Sequence, residues 1–165
     1  MKHTLSILVQ NEAGVLSSLS GLFSGRGYNI ESLTVAPTVD NDYSRVTIVT
    51  SGDEKVIEQI CKQLHRLIYT LKVAEISPEN SVSRELVLLK VNAKDENRSE
   101  ILRIAEIFEC KIVDVSPKTY TLQIVGDQTK VQAVIELLRP IGVKEIVRSG
   151  LVAMSKENQF IINGK

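Results

Sequence analysis

Tryptophan is absent from this 165-residue chain, and three Phe and four Tyr make up its whole aromatic content. A sheet that reads single-stranded nucleic acid stacks bases on aromatic side chains. The strand expected over 43–51 offers only Tyr43, at its beginning. Neither sign of charge is in excess, since Lys plus Arg and Asp plus Glu both count 20. No global field therefore draws in a polyanion or an acidic membrane, and neither nucleic acid nor membrane is expected as a partner.

Cysteine is almost as scarce. Cys61 falls in a helical apolar pattern and Cys110 at a helix-to-strand junction, which fits reduced packing residues better than a disulfide or a metal site. No apolar run approaches the length that spans a bilayer. The start Met-Lys-His-Thr-Leu-Ser-Ile alternates like a strand and lacks the apolar core of a signal peptide, so a cytoplasmic location is expected.

Reaction chemistry is missing too. His3 and His65 are the only histidines. There is no Gly-x-Ser-x-Gly elbow and no serine with a credible histidine partner. Gly21, Gly25 and Gly27 lie within and at the end of a helix, not in a phosphate-binding loop. Asp40, Asp42, Asp53 and Glu54 cluster near a hairpin and a helix start, where turn formation and capping explain them and a metal site is the lesser reading. No catalytic residue, cofactor or metal is expected on this chain.

What the chain does have is 43% hydrophobic residues, enough for real cores, arranged in two copies of one plan. Leu5, Ile7 and Val9 alternate with polar neighbours and predict a strand over 4–10. From Val15 the period lengthens: Val15, Leu16, Leu19, Leu22 and Phe23 share one face of a helix over 14–26, stopped at Arg26-Gly27. An extended segment 29–38, a turn at Asp40–Asp42 and a strand 43–51 follow. Asp53 is placed to cap a helix carrying Val56, Ile57, Ile60, Cys61, Leu64, Leu67 and Ile68, and 70–76 closes the unit as a strand. The order is βαββαβ. After the turn-rich stretch 77–81 the plan recurs: strand 85–93, helix 99–108, hairpin 111–115 with 119–125, a helix stopping at Arg139-Pro140, and strand 143–148. The expected fold is α+β, two ferredoxin-like βαββαβ domains over 1–77 and 82–165, each with helices on one face of an antiparallel sheet.

The turn between the strand over 4–10 and the helix over 14–26 draws attention within this frame. The first N–H groups of a helix lack intrahelical partners and carry the positive end of the dipole, so a carboxylate there gains charge-assisted hydrogen bonds. Gly14 has no Cβ to obstruct a ligand. Asn11 and Asn29 each carry donor and acceptor groups, enough to read both ends of a zwitterionic amino acid. Val15, Leu16 and Ile30 are placed to enclose a small aliphatic side chain. Asn and Gly are also ordinary turn residues, and a loop of this composition is more often structural than ligand-binding. The second strand of this plan normally lies at a sheet edge, and 29–38 holds no Lys or Arg, only Glu31, with Pro37 near its end. Such an edge is weakly guarded against pairing with another copy. That pairing would bring Asn29 of one chain toward Asn11 and Gly14 of the other, giving a homodimer with an effector pocket at its interface.

Residues 11–38, Asn-Glu-Ala-Gly-Val-Leu-Ser-Ser-Leu-Ser-Gly-Leu-Phe-Ser-Gly-Arg-Gly-Tyr-Asn-Ile-Glu-Ser-Leu-Thr-Val-Ala-Pro-Thr, closely resemble the small regulatory subunits of acetolactate synthase, also called acetohydroxyacid synthase. The likeness continues through Ser44–Ile48, Gly52–Val56, Glu58–His65, Ile112–Val115 and Arg148-Ser-Gly150, nearly the whole chain. The resemblance implies an N-terminal ACT domain, the small-molecule-sensing form of the ferredoxin-like plan, and a C-terminal domain particular to these subunits. It implies as partner a separate large catalytic subunit of this transferase, carrying thiamine diphosphate, magnesium and usually FAD. That subunit joins two pyruvates, or pyruvate and 2-oxobutyrate, at the start of branched-chain amino acid biosynthesis. The small chain would stimulate it and confer feedback inhibition, usually by valine. The positions matching the family's effector motif are Asn11, Ala13, Gly14, Val15, Leu16, Asn29 and Ile30, with Ser17 and Ala36 close by. The alternative is a free-standing ACT-domain amino-acid sensor or transcriptional regulator, although no DNA-reading helix pair is evident. The ending after Gly150 carries no assigned role.

Overall fold

A computed structural model describes residues 1–157. The chain divides into two compact units, one of Met1–Val82 with the segment from Leu151 on, the other Ser83–Gly150.

The first unit runs β1 (Lys2–Gln10), α1 (Val15–Gly25), β2 (Ile30–Pro37), β3 (Tyr43–Ser51), α2 (Glu54–His65) and β4 (Thr70–Ile76). Its antiparallel sheet has the order β2-β3-β1-β4, which puts β2 on an edge. Alternation along β1 sends Leu5, Ile7 and Val9 to the helix side, where they meet Val46 and Ile48 of β3, Val15, Leu19 and Phe23 of α1, and Ile57, Ile60 and Leu64 of α2. Each such side chain contributes about 1.5–3 kcal/mol by leaving water. The Phe23 ring meets Tyr28 edge to face, with centroids 6.3 Å apart. Asp53 caps α2 as its position in the sequence suggests, its Oδ1 accepting the Val56 N–H at 2.8 Å. The helix ends earlier than its apolar stripe: it stops at His65, Leu67 is half-buried and Ile68 is exposed. The Thr70 N–H donates to the Leu67 carbonyl, so this short turn into β4 takes the place of another helical turn.

The second unit repeats the plan with β5 (Ser81–Asn92, which begins in the first unit), α3 (Arg98–Ile107), β6 (Lys111–Val115), β7 (Thr119–Gly126), α4 (Gln128–Gly142) and β8 (Val143–Arg148), in the sheet order β6-β7-β5-β8. Val87, Leu89 and Val91 of β5 pack with Leu122 and Ile124 of β7 and with Ile101, Ile104, Val131, Val134 and Leu138 of the helices. One expectation needs correcting. Pro140 does not stop α4 but lies inside its last turn. There a missing N–H forfeits a single terminal hydrogen bond, and the helix ends instead at Gly142, whose φ of +110° is a left-handed stop.

The segment from Leu151 on also departs from expectation. The expected second domain extended to 165, but the chain returns to the first unit at Leu151 and forms β9 (Val152–Ser155). The last stretch of that expected domain, 158–165, lies outside the described residues.

Candidate functional site

The turn between β1 and α1 is held open by backbone geometry. Gly14 takes φ +88°, ψ −13° and occupies the position before the first turn of α1 with no side-chain oxygen capping the helix. Its carbonyl accepts the Ser18 N–H at 3.0 Å and the Ser18 Oγ at 3.1 Å. A Cβ built at Gly14 would meet no atom within 4 Å, so the helix start faces open space. The first turn of α1 contains no acidic residue, whereas α2 has Asp53 as cap and Glu54 behind it. Of these two helices, α1 alone leaves its positive end without an anionic side chain, the arrangement that suits an external carboxylate.

Asn11 flanks this opening and is tied to the β2–β3 turn: its N–H donates to the Asp42 carbonyl and its Nδ2 to the Asn41 carbonyl, both at 2.8 Å. Its amide oxygen remains available to a ligand ammonium. Ala13 and Leu16 are exposed, Leu16 at 41%. Val15 differs from the sequence reading. At 5% exposure its side chain belongs to the core, because the first helical residue of this face points at the sheet; it can offer a ligand its backbone only. Ser17 and Ala36 are exposed.

Asn29 and Ile30 stand elsewhere. Asn29 is exposed and its carbonyl accepts the Thr50 Oγ1 at 2.6 Å, while Ile30 is half-buried against the core. Ile30 pairs with Thr50, and Thr50 pairs with His3 of β1. Asn11 comes eight positions after His3, roughly 26 Å along the sheet at about 3.3 Å per residue. One chain therefore brings together Asn11, Ala13, Gly14 and Leu16 but holds Asn29 and Ile30 at the opposite end of the sheet. Glu31, the charge on the edge strand, is engaged by Lys2 at 2.7 Å and by the Ser51 hydroxyl. These bonds, Lys2's foremost, hold its carboxyl below the usual carboxylate range.

The two histidines and the turn residue Asp40 are engaged in local bonds. His3 bonds Glu75 through Nδ1 at 2.6 Å and the Gly52 carbonyl through Nε2 at 3.2 Å, and His65 Nδ1 lies 2.9 Å from the Cys61 carbonyl. Asp40 Oδ1 accepts the Asp42 N–H at 3.0 Å within the turn. Among the described residues no group of three or more His, Cys, Asp or Glu is placed to hold a metal, and no helix is long and apolar enough to cross a membrane. A shallow groove of about 410 Å³ lies between the C-terminal ends of α1 and α2, lined by Gly21, Gly25, Arg26, Gln63 and Arg66 among others. None of the expected site residues lines it, and its arginines offset the negative ends of two helix dipoles.

Comparison with known proteins agrees with this layout. Residues 5–72 match the family profile of the AHAS small subunit-like ACT domain, and residues 84–157 match that of the small subunit of acetolactate synthase. The chain belongs to the acetolactate synthase small-subunit family. It is 51% identical over 157 residues to the acetolactate synthase small subunit of Aquifex aeolicus, covering 94% of this chain and 82% of the relative. It is 48% identical over 162 residues to the isozyme 3 small subunit of Escherichia coli K12, covering 98% and 99%. The crystal structure of the acetolactate synthase small subunit from Thermotoga maritima superposes with a TM-score of 0.87 at 43% identity, covering 96% of this chain and 99% of that one. The first unit's βαββαβ sheet is thus an ACT domain, and the fold class read from the sequence holds.

Sequence reasoning missed Ser32, Thr34 and Leu151. The Leu151 N–H donates to Ser32 Oγ at 3.0 Å and the Thr34 Oγ1 donates to the Leu151 carbonyl at 2.8 Å. Only the brief alternation of Leu151 and Ala153, both buried, with exposed Val152 and Met154 signals this strand, and four residues are too few to separate a strand from a tail.

Proposed function

We propose that this chain is the regulatory subunit of acetolactate synthase: it binds valine or another branched-chain amino acid between paired ACT domains and governs a separate catalytic subunit. The large subunit supplies thiamine diphosphate, magnesium and usually FAD, and converts two pyruvates to 2-acetolactate and CO2. The small chain raises that rate and withdraws the stimulation when the end product accumulates. The reading places both subunits in the cytoplasm.

The observation that carries this reading is the separation of the half-sites on an edge strand. Among the described residues β2 pairs on one side only, and its single charge is engaged by Lys2. Antiparallel pairing of β2 with its copy across a two-fold axis sets the Ile30 end of one strand beside the Pro37 end of the other. Pro37 pairs with Ser44, which pairs with Val9, two residues before Asn11. The dimer therefore reunites Asn29 and Ile30 of one chain with Asn11, Ala13, Gly14 and Leu16 of its mate. In this site the open N-terminus of α1 takes the carboxylate, the two asparagines share the ammonium, and Leu16 and Ile30 flank the aliphatic side chain.

Inhibition follows by linkage. Valine shifts the complex only by its difference in affinity for two arrangements of the paired domains; equal affinity for both shifts nothing, however tight the binding. Calorimetric titration with valine, leucine and isoleucine, combined with sedimentation at each saturation, tests the reading. The expected result is one amino acid per chain, two per dimer, and a dimer at saturation. A valine-saturated, fully monomeric chain would overturn the placement of the pocket.

A further inference from the structure

The Gly150–Leu151 peptide is where the chain leaves the second unit for the first, and it is anchored on both sides. On the second-unit side, Arg148 of β8 forms two hydrogen bonds to Glu85, from Nε at 2.7 Å and from an Nη at 2.6 Å, and Glu85 is only 4% exposed. Ser149 next to it exchanges bonds with Leu86: the Ser149 N–H donates to the Leu86 carbonyl at 2.9 Å and its Oγ accepts the Leu86 N–H at 3.1 Å. Gly150 then turns the chain with φ +86°.

On the first-unit side, Leu151 uses both backbone polar groups. They clasp Ser32 and Thr34, two side chains on one face of β2 that flank Leu33, near the middle of the strand. From there the segment contacts β1 and β4, and the Lys156 N–H reaches the Asn80 carbonyl at 2.8 Å. The sheet face opposite the helices carries Ser6, Thr47, Val49 and Ile76, all buried. Residues 151–156 form a strap across that face. Strands that slide past each other carry every residue along with them, and the clasp grips β2 near its middle.

We propose that the Leu151 clasp on Ser32 and Thr34 is the positioning element through which a change in pairing of the β2 edge strands reaches the second unit. This rests on the dimeric effector site proposed above. Ser32, Thr34 and Leu151 do not touch the effector. They make the short run Arg148–Leu151 a taut connection: a shift of the β2 midpoint pulls on Gly150, and the Glu85–Arg148 and Ser149–Leu86 bonds pass the pull to β5 and β8. With this connection slack, strand β5, which begins in the first unit, would be the chain's remaining link between the two.

Two variants of the full chain, assembled with the catalytic subunit, test this. Ser32→Ala/Thr34→Val removes the clasp, and insertion of two glycines between Gly150 and Leu151 keeps every bond but slackens the joint. Both are expected to bind valine within about twofold of wild type by calorimetry and to stimulate acetolactate formation normally, while maximal valine inhibition falls by more than half. Full inhibition of the insertion variant at the wild-type valine concentration would overturn the proposal. So would loss of valine binding by both variants, because the clasp would then belong to the pocket and not to its coupling. A wild-type complex indifferent to valine would instead remove the effector site underneath, which the wild-type arm reads separately.

Discussion

Replacing Gly14 separates what the β1–α1 turn needs for folding from what it needs for a ligand. At φ +88° an L-residue is in left-handed backbone, at a cost of about 1–2 kcal/mol. No packing penalty adds to this, because a Cβ at this position has nothing within 4 Å. Gly14→Ala and Gly14→Asp should therefore lose similar, modest stability, and Asp somewhat less because it tolerates this region better. Their effects on the effector should diverge. An aspartate about 4 Å from a bound carboxylate is repelled by about 1 kcal/mol in water-like surroundings and about 4 kcal/mol at an effective dielectric near 20. That range weakens valine roughly fivefold to eight-hundredfold. The assay is calorimetric titration of each variant beside a urea melt of the same preparation. Unchanged valine affinity in Gly14→Asp would refute the placement of the carboxylate at this helix start, whatever the melt shows.

Asn11→Ala loses its bond to the Asn41 carbonyl, costing about 0.5–1.5 kcal/mol of stability, and should weaken valine roughly tenfold to a hundredfold by removing a charge-assisted contact; calorimetry and a thermal melt read the two effects separately. Arg148→Ala leaves the buried Glu85 carboxylate unpaired. Breaking a fully buried pair costs about 3–5 kcal/mol, and because Arg148 is half-exposed about 2–3 kcal/mol is expected in urea denaturation, with Glu85→Leu/Arg148→Met recovering most of it. Burial pushes the Cys61 thiol up, assisted by Glu75, and pushes the Cys110 thiol up against the opposing pull of Lys130. Both should react with iodoacetamide at pH 8 more slowly than a free cysteine. A thiol whose folded pKa is raised stabilises the fold below its ordinary titration point, and this contribution is lost as pH rises through the folded value, so stability should decline above about pH 9.

The fold was legible where local signals agreed with the tertiary structure. The alternation of Leu5, Ile7 and Val9, the cap at Asp53 and the strands 70–76, 111–115 and 143–148 each follow from a period or a terminus signal that packing reinforces. It was illegible where packing overrode a local rule. Pro140 is tolerated because the last turn of α4 had little left to lose, and Ile68 continues an apolar period after its helix has ended. The candidate site was partly legible: Asn11 and Gly14 advertise a turn and an open helix start, whereas the burial of Val15 depends on how α1 lies on the sheet. The clasp at Leu151 was hidden because it joins Ser32 and Thr34 to a backbone more than a hundred residues away, through bonds that leave no periodicity.

The rate of acetolactate formation by a catalytic subunit, measured with and without this chain and then with valine added, tests the central claim most directly. The expected result is a slow catalytic subunit, a marked increase when this chain is added, and a fall back toward the slow rate as valine saturates. A catalytic rate that ignores this chain, or a stimulated rate that ignores valine, would contradict it.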